Sequence, residues 1–295
     1  MTTVLVIGAT GKQGGAVARL LLDHGHDVAA YVRSPGSPAA LALSTAGARL
    51  VTGDLADPEA LTRAAQGVDA VFGLSVPFGS GGKDEEVAQG RLLVDAARHA
   101  DAHLVYSSVR GAGRLARTDI DHADSKQLLE AYLRTQDVRA TVLGPVYFME
   151  NALNVGFSGL TDGVLANPLS AAKPLDQVTV RDIAGLAVHA IEHPDRLAGE
   201  RIDVVSDRVT GEEAARILSD VLGREIPYRQ LPLDQVRRWA GDEIADMFQR
   251  FEDNTDFLDA DGLHARYPEV AWHSYAAWAR TVDWDLVLRS PAAAR

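Results

Sequence analysis

Through the first half of the chain, short runs that are apolar almost throughout alternate with longer segments in which apolar residues recur every three or four positions. The apolar runs at residues 4–7, 28–32, 49–51, 70–74, 104–106 and 140–143 predict six strands. Helical periodicity at 14–22, 84–99 and 124–135 lies between them, and each stretch is long enough for a parallel crossover, where a hairpin would need a few residues. Strands apolar on both faces belong to a parallel sheet covered by helices on each side. The alternation therefore predicts an α/β domain with a doubly wound parallel sheet over residues 1–150.

Beyond Pro145 the rhythm loosens. Residues 151–174 are rich in Gly, Asn and Pro, and amphipathic patterns at 182–192, 210–222, 234–239 and 244–251 predict a smaller, mostly helical lobe over 151–295. Residues 178–180 and 201–205 are apolar enough to return strands to the first sheet, so the boundary is soft and a crossing back is expected near 175–205. The tail, 290–295, is expected to fray.

Composition narrows the chemistry. With no cysteine there is no disulfide, no thiolate nucleophile and no Cys-ligated zinc or iron–sulfur cluster. A net charge of −12 disfavours attraction to phosphate backbones, so no direct nucleic-acid partner is expected, although local amides and cations can still hold an anionic cofactor. No apolar run approaches the roughly 20 residues of a membrane span, and the start lacks the pattern of a secretory signal, which leads us to expect a cytoplasmic protein with no membrane association.

Directly after the first predicted strand the chain reads GATGKQGG, with glycines at 8, 11 and 14 and a helical pattern following. In that context Gly8 allows a tight strand exit, Gly11 a close approach of backbone to a pyrophosphate, and Gly14 close packing of helix on strand, while free helix amides face the anion. Gly8, Thr10, Gly11, Lys12, Gln13 and Gly14 are thus candidate contacts to a dinucleotide, and the fold class is Rossmann-type. At the end of the second strand a carboxylate would bind a ribose diol and a cation would accommodate a 2′-phosphate. The run AAYVRSP puts Arg33 there with no acid beside it, and Lys12 supplies a second cation, which favours NADP(H) over NAD(H). After the third strand, GDLADP offers Asp54 and Leu55 as walls for the adenine, although an aspartate there also closes turns and caps helices.

Taken in order, GATGKQGG, YVRSP, GDLADPEAL, QGRLLVDAARHADAHLVYSSV, HADSKQLLEAYLR, GPVYFMEN and QVTVRDIAGLAVHAIEHPDRLAGERIDVV resemble the NmrA-like family of atypical short-chain dehydrogenases. The resemblance covers nearly the whole chain and is strongest up to residue 205. It implies an NAD(P)-binding domain, a smaller C-terminal lobe and a small-molecule substrate in the cleft between them. It also implies one of two activities: an NADPH-dependent oxidoreductase reducing a small carbonyl, quinone or enone by hydride transfer, or an NADP(H)-binding redox-sensing regulator that acts through a protein partner without turnover. A tailoring enzyme such as an epimerase, using the nucleotide transiently, is a third.

By the same resemblance Ser75, Val76 and Pro77 run along the nicotinamide half of the cofactor, Ser107 and Ser108 end the fifth strand where the dehydrogenase serine sits and either could orient a carbonyl, and Pro145, Tyr147 and Phe148 lie beside the nicotinamide. Lys83, among Gly79, Gly81 and Gly82, belongs to a loop able to close over the phosphates. Short-chain dehydrogenases use Tyr-x-x-x-Lys; HADSK keeps the spacing, with His122 in the tyrosine's place and Lys126 in the lysine's. A free imidazole titrates near about 6.5 and a phenol near about 10, so a histidine suits general acid work at neutral pH without help from a lysine. His122, Lys126 and Tyr147 are the candidate catalytic residues, with Lys126 also a ribose ligand and His122 equally suited to a helix start packing on the cofactor.

No metal site is expected. His189 and His193 read as helix-end residues stabilising the dipole, and His24 and His26, between Asp23 and Asp27, as a solvated turn. Tyr228, Trp239, Phe248 and Phe251 are expected on the substrate side of the C-terminal lobe.

Overall fold

A computed structural model describes residues 1–75, 81–113 and 120–289. Val76, Pro77, Gly79 and the tail 290–295 lie outside the described residues. The chain divides into two compact units, one formed by residues 1–145 and 180–204 and the other by 146–179 and 205 onward.

The first unit runs β1 (Thr3–Val6), α1 (Lys12–Asp23), β2 (Asp27–Val32), α2 (Pro38–Thr45), β3 (Arg49–Thr52), α3 (Pro58–Ala65), β4 (Ala70–Gly73), α4 (Gly82–His99), β5 (His103–Ser107), α5 (Asp121–Thr135) and β6 (Ala140–Pro145). The chain then enters the second unit with β7 (Tyr147–Phe148), α6 (Val155–Ser158), β8 (Leu165–Asn167) and β9 (Leu175–Val178). It returns to the first with α7 (Val180–Glu192), α8 (Pro194–Leu197) and β10 (Arg201–Val204). The remainder of the second unit is β11 (Asp207–Val209), α9 (Gly211–Leu222), β12 (Tyr228–Gln230), α10 (Leu233–Ala240), α11 (Asp242–Asp253), α12 (Ala260–Arg266), α13 (Tyr275–Thr281) and α14 (Trp284–Arg289).

Among the described residues the first unit holds a seven-stranded sheet in the order β10-β6-β5-β4-β1-β2-β3, parallel at every pairing. The order reverses between β1 and β4, which opens a crevice at the carboxyl ends of those strands. Val4, Leu5 and Val6 of the interior strand β1 are fully buried, as expected of a strand with helices on both faces. The helices begin two or three residues before the apolar periodicity shows, α1 at Lys12, α4 at Gly82 and α5 at Asp121. A first helical turn exposes its N–H groups and needs no apolar face, so the packing period becomes visible only further along.

Residues 201–204 supply β10 to the large sheet, whereas 178–180 do not return there. β9 ends at Val178 and pairs with β7 and β11 in a three-stranded sheet of the second unit. Asp176 explains the choice: its carboxylate meets Arg208 Nε of β11 at 2.7 Å, a partner that a strand with both faces in an apolar layer would lack. A two-stranded pair, β12 with β8, and a core of Met149, Leu160, Leu218, Tyr275 and Trp278 complete that unit. No helix among the described residues is long and apolar enough to cross a membrane.

One buried group makes the first unit sensitive to acid. His103, at the start of β5, donates from Nε2 to Thr141 Oγ1 at 2.9 Å, because the Thr141 hydroxyl proton is committed to Leu197 O at 2.8 Å. Nδ1 has no hydrogen-bond partner among the described residues. Burial, aided by the charge of Arg139, lowers the His103 pKa to about 4. A folded value below the unfolded one means that stability is complete above the unfolded value near about 6.5 and is lost as pH falls toward 4, up to about 3 kcal/mol. Urea midpoints between pH 7 and 4 should fall in the wild type and fall less in His103→Gln; equal slopes would remove His103 as the cause.

Candidate functional site

The glycine turn is built by local geometry at the carboxyl end of β1. Gly8 takes a φ of 68°, which L side chains rarely adopt, and its carbonyl accepts the Gly11 N–H at 2.8 Å. A Cβ on Gly14 would run into the Gly8 carbonyl and the peptide that follows it. α1 begins with no side-chain cap and no acidic residue in its first turn, so its positive end suits an anion. Gln13 is fixed by the Ser107 hydroxyl, which donates to Gln13 Oε1 at 2.7 Å and joins the end of β5 to the start of α1. These features fit the pyrophosphate of a dinucleotide.

Thr10 and Lys12 are exposed on the same turn, and Arg33 is exposed where β2 ends, with no acidic partner among the described residues. Asp54 closes its own turn by accepting the Ala56 N–H at 2.9 Å, and its carbonyl accepts the Tyr31 hydroxyl at 2.9 Å. Leu55 packs against the sheet core, and Pro145 is buried at the end of β6. Lys83 pairs with Asp121 at 2.6 Å, tying the first turn of α4 to that of α5.

Lys126 lies in a buried polar cluster that the sequence did not announce. Its ammonium reaches Glu86 Oε1 at 2.7 Å, Ser75 Oγ at 2.7 Å and Ser75 O at 2.9 Å, so each of its three N–H groups has an acceptor within the fold. The Ser75 hydroxyl donates to Glu86 Oε1 at 3.0 Å, and the Tyr106 hydroxyl lies 3.0 Å from Ser75 Oγ. Ser125 donates to Glu86 Oε2 at 2.6 Å, completing a network in which the carboxylate is satisfied on both oxygens. Burial raises the Tyr106 pKa, so the phenol stays protonated and serves as a donor. His122, half-buried in the first turn of α5, is joined to this network through the Ser125 hydroxyl, which also lies 3.0 Å from the His122 carbonyl. Ser108 is committed elsewhere, donating to Glu130 at 2.6 Å beside the Arg201–Glu130 pair.

Glu86, Ser125 and Tyr106 are the residues that sequence reasoning missed. The signal was present: Glu86 shares the buried face of α4 with Gly90, Leu93 and Ala97, and a carboxylate on an apolar face needs a cation.

The second unit holds Tyr147 and Phe148 on β7. The Tyr147 hydroxyl is hydrogen-bonded with Asn151 and Asn167, and burial pushes its pKa up to about 12, so it keeps its proton at neutral pH. Its ring meets Phe248 and Phe251 edge-on, at 6.2 and 6.1 Å between centroids, and Phe157 continues the cluster to Trp239 at 5.3 Å. Tyr147, Asn151, Asn167, Lys173, Tyr228 and Tyr275 line a pocket within this unit. The Tyr228 hydroxyl donates to Leu169 O at 2.6 Å.

The chain is similar to known proteins. The chain is 30% identical over 240 residues to an NAD(P)H azoreductase of Xenophilus azovorans, covering 80% of this chain and 79% of that one. In fold it resembles the NADPH-dependent quinone oxidoreductase of Escherichia coli in complex with NADPH, with a TM-score of 0.78 at 22% identity over 95% of this chain and 99% of the other. It is also similar to NmrA, a negative transcriptional regulator, in complex with NADP, with a TM-score of 0.76 at 20% identity over 95% of each chain. The model of the NmrA-like family matches residues 1–280, and the chain belongs to the NmrA-like family.

Proposed function

We propose that the protein is an NADPH-dependent oxidoreductase that reduces a small quinone, enone or carbonyl compound by hydride transfer. The observation that carries this reading is the uncapped start of α1 behind the glycine turn, combined with Arg33 at the end of β2, which has no acidic partner among the described residues. The turn takes the pyrophosphate, Arg33 and Lys12 take the 2′-phosphate, and Asp54 and Leu55 flank the adenine. The bound nicotinamide supplies the hydride. Ser75, Ser107 and Pro145 position its ring, with Val76 and Pro77 beyond the described residues. His122 supplies the proton to the reduced substrate. The substrate class is supported by the similarity to an NAD(P)H azoreductase and an NADPH-dependent quinone oxidoreductase.

A second reading, a regulator that binds NADP(H) without turnover, has one observation in its favour. The three N–H groups of Lys126 already have acceptors inside the fold, so a ribose ligand there must displace one of them.

Calorimetric titration with NADPH, NADP⁺ and NADH, followed by the absorbance of NADPH as quinones and enones are added, separates the two. Arg33→Asp should weaken NADPH by about ten- to a hundredfold and leave NADH nearly unchanged, the size of one charge-assisted contact. Equal loss for both would end the assignment of Arg33 to a 2′-phosphate. Binding without NADPH consumption across the panel would favour the regulator.

A further inference from the structure

His24 and His26 sit in the turn between α1 and β2, at the amino edge of the sheet and away from the crevice at its carboxyl ends. The sequence offers them no partner but the flanking aspartates. The fold brings one from 166 residues away: α7 packs along α1 and delivers Glu192, its last residue, to this turn. His24 Nδ1 lies 2.9 Å and His26 Nε2 3.0 Å from the same oxygen, Glu192 Oε1. The two rings are inclined by only 28°, so both present a nitrogen to one point, and the three donor atoms lie within 4.8 Å of one another.

We infer that His24, His26 and Glu192 form a binding site for a late first-row divalent cation, of which zinc is the representative. Two imidazole nitrogens and one carboxylate oxygen are a donor set that zinc takes with three protein ligands and an open fourth position. Donors bound at about 2.0–2.1 Å stand roughly 3.3 Å apart in a tetrahedron, so each imidazole nitrogen draws back a few tenths of an ångström from Glu192 Oε1, and the two nitrogens, within 4.8 Å of one another, settle at the same spacing to admit the ion. His24 is 43% exposed in its side chain, which gives the ion an entry path and leaves the fourth position to water. The nitrogen donors exclude magnesium and calcium, which take oxygen. Binding at His26 Nε2 moves the ring proton to Nδ1, and the long 3.3 Å contact from the Thr2 N–H to Nδ1 is given up. The site joins the end of α7, in the segment that returns from the second unit, to the α1–β2 turn. Its role is to clamp that segment in place.

The test is titration of the full-length, tag-free protein with Zn²⁺ in competition with a chromophoric chelator, alongside thermal unfolding with and without the ion. The expected result is one zinc per chain, a higher unfolding midpoint with zinc, no response to Mg²⁺, and affinity lowered by at least about tenfold in both His24→Ala and Glu192→Gln. Glu192→Gln retains a hydrogen-bond acceptor for both rings, so the unliganded fold is preserved and loss of zinc affinity reports on the ligand. Absence of binding, or binding of unchanged affinity in both variants, overturns the proposal, the latter showing adventitious binding at other surface histidines.

Discussion

Glu86→Ala should destabilise the protein by about 3–5 kcal/mol, the largest stability effect expected of a single polar substitution in the first unit. The Lys126 and Glu86 side chains are 7% and 2% exposed, so removing the carboxylate leaves an ammonium in an apolar surround with Ser75 as its remaining anchor. The loss measures the stranded charge, not the worth of the pair. Replacing both partners, in Glu86→Leu with Lys126→Met, should therefore recover much of the stability, since a buried ion pair and a well-packed apolar pair are often close in energy. Urea denaturation of the single and double variants checks this. A Glu86→Ala variant within about 1 kcal/mol of wild type would mean that water reaches Lys126 and that the network is not closed. Glu86→Gln has a further use. It keeps the shape and an acceptor while removing the charge that holds Lys126, so stronger NADPH binding in this variant would identify Glu86 as the competitor that keeps Lys126 from the ribose.

That network also marks where the sequence stops being readable. Gly8, Gly11 and Gly14, the apolar strands and the end of β2 at Arg33 act through neighbours in the chain, so spacing alone exposes them. The large parallel sheet and the carboxyl-edge crevice follow from the same rhythm. Glu86 and Lys126 are 40 residues apart, and their pairing depends on α4 and α5 packing side by side, which periodicity reports only as two buried faces. The same holds for Glu192 against His24 and His26, where a turn that looks solvated acquires a carboxylate from a remote helix end. β9 is the instructive miss. Its apolar residues suit either sheet, and what decides is Asp176, whose partner Arg208 lies on the next strand of the second unit. Polar residues inside apolar runs carry that information.

The largest effect on ligand binding is expected at Gly14. A Cβ there meets backbone rather than a flexible side chain, the carbonyl of Gly8 and the following peptide, so relief requires the turn itself to move. Gly8 already holds a left-handed φ of 68° and bonds to the Gly11 N–H, which leaves it little freedom to yield. Gly14→Ala should therefore destabilise the fold by about 1–3 kcal/mol, the range for forced overpacking, and tilt the start of α1 away from β1. If the pyrophosphate sits on the first amides of that helix, as proposed, NADPH affinity should fall by roughly a hundredfold or more, the loss of two charge-assisted hydrogen bonds. Gly36→Ala is the control: no atom lies within 4 Å of its Cβ, and neither stability nor affinity should change appreciably. Thermal unfolding and calorimetry on the same preparations separate the two consequences. Lower stability with NADPH affinity within about threefold of wild type would show that the turn packs tightly for the sake of the fold and that the cofactor lies elsewhere.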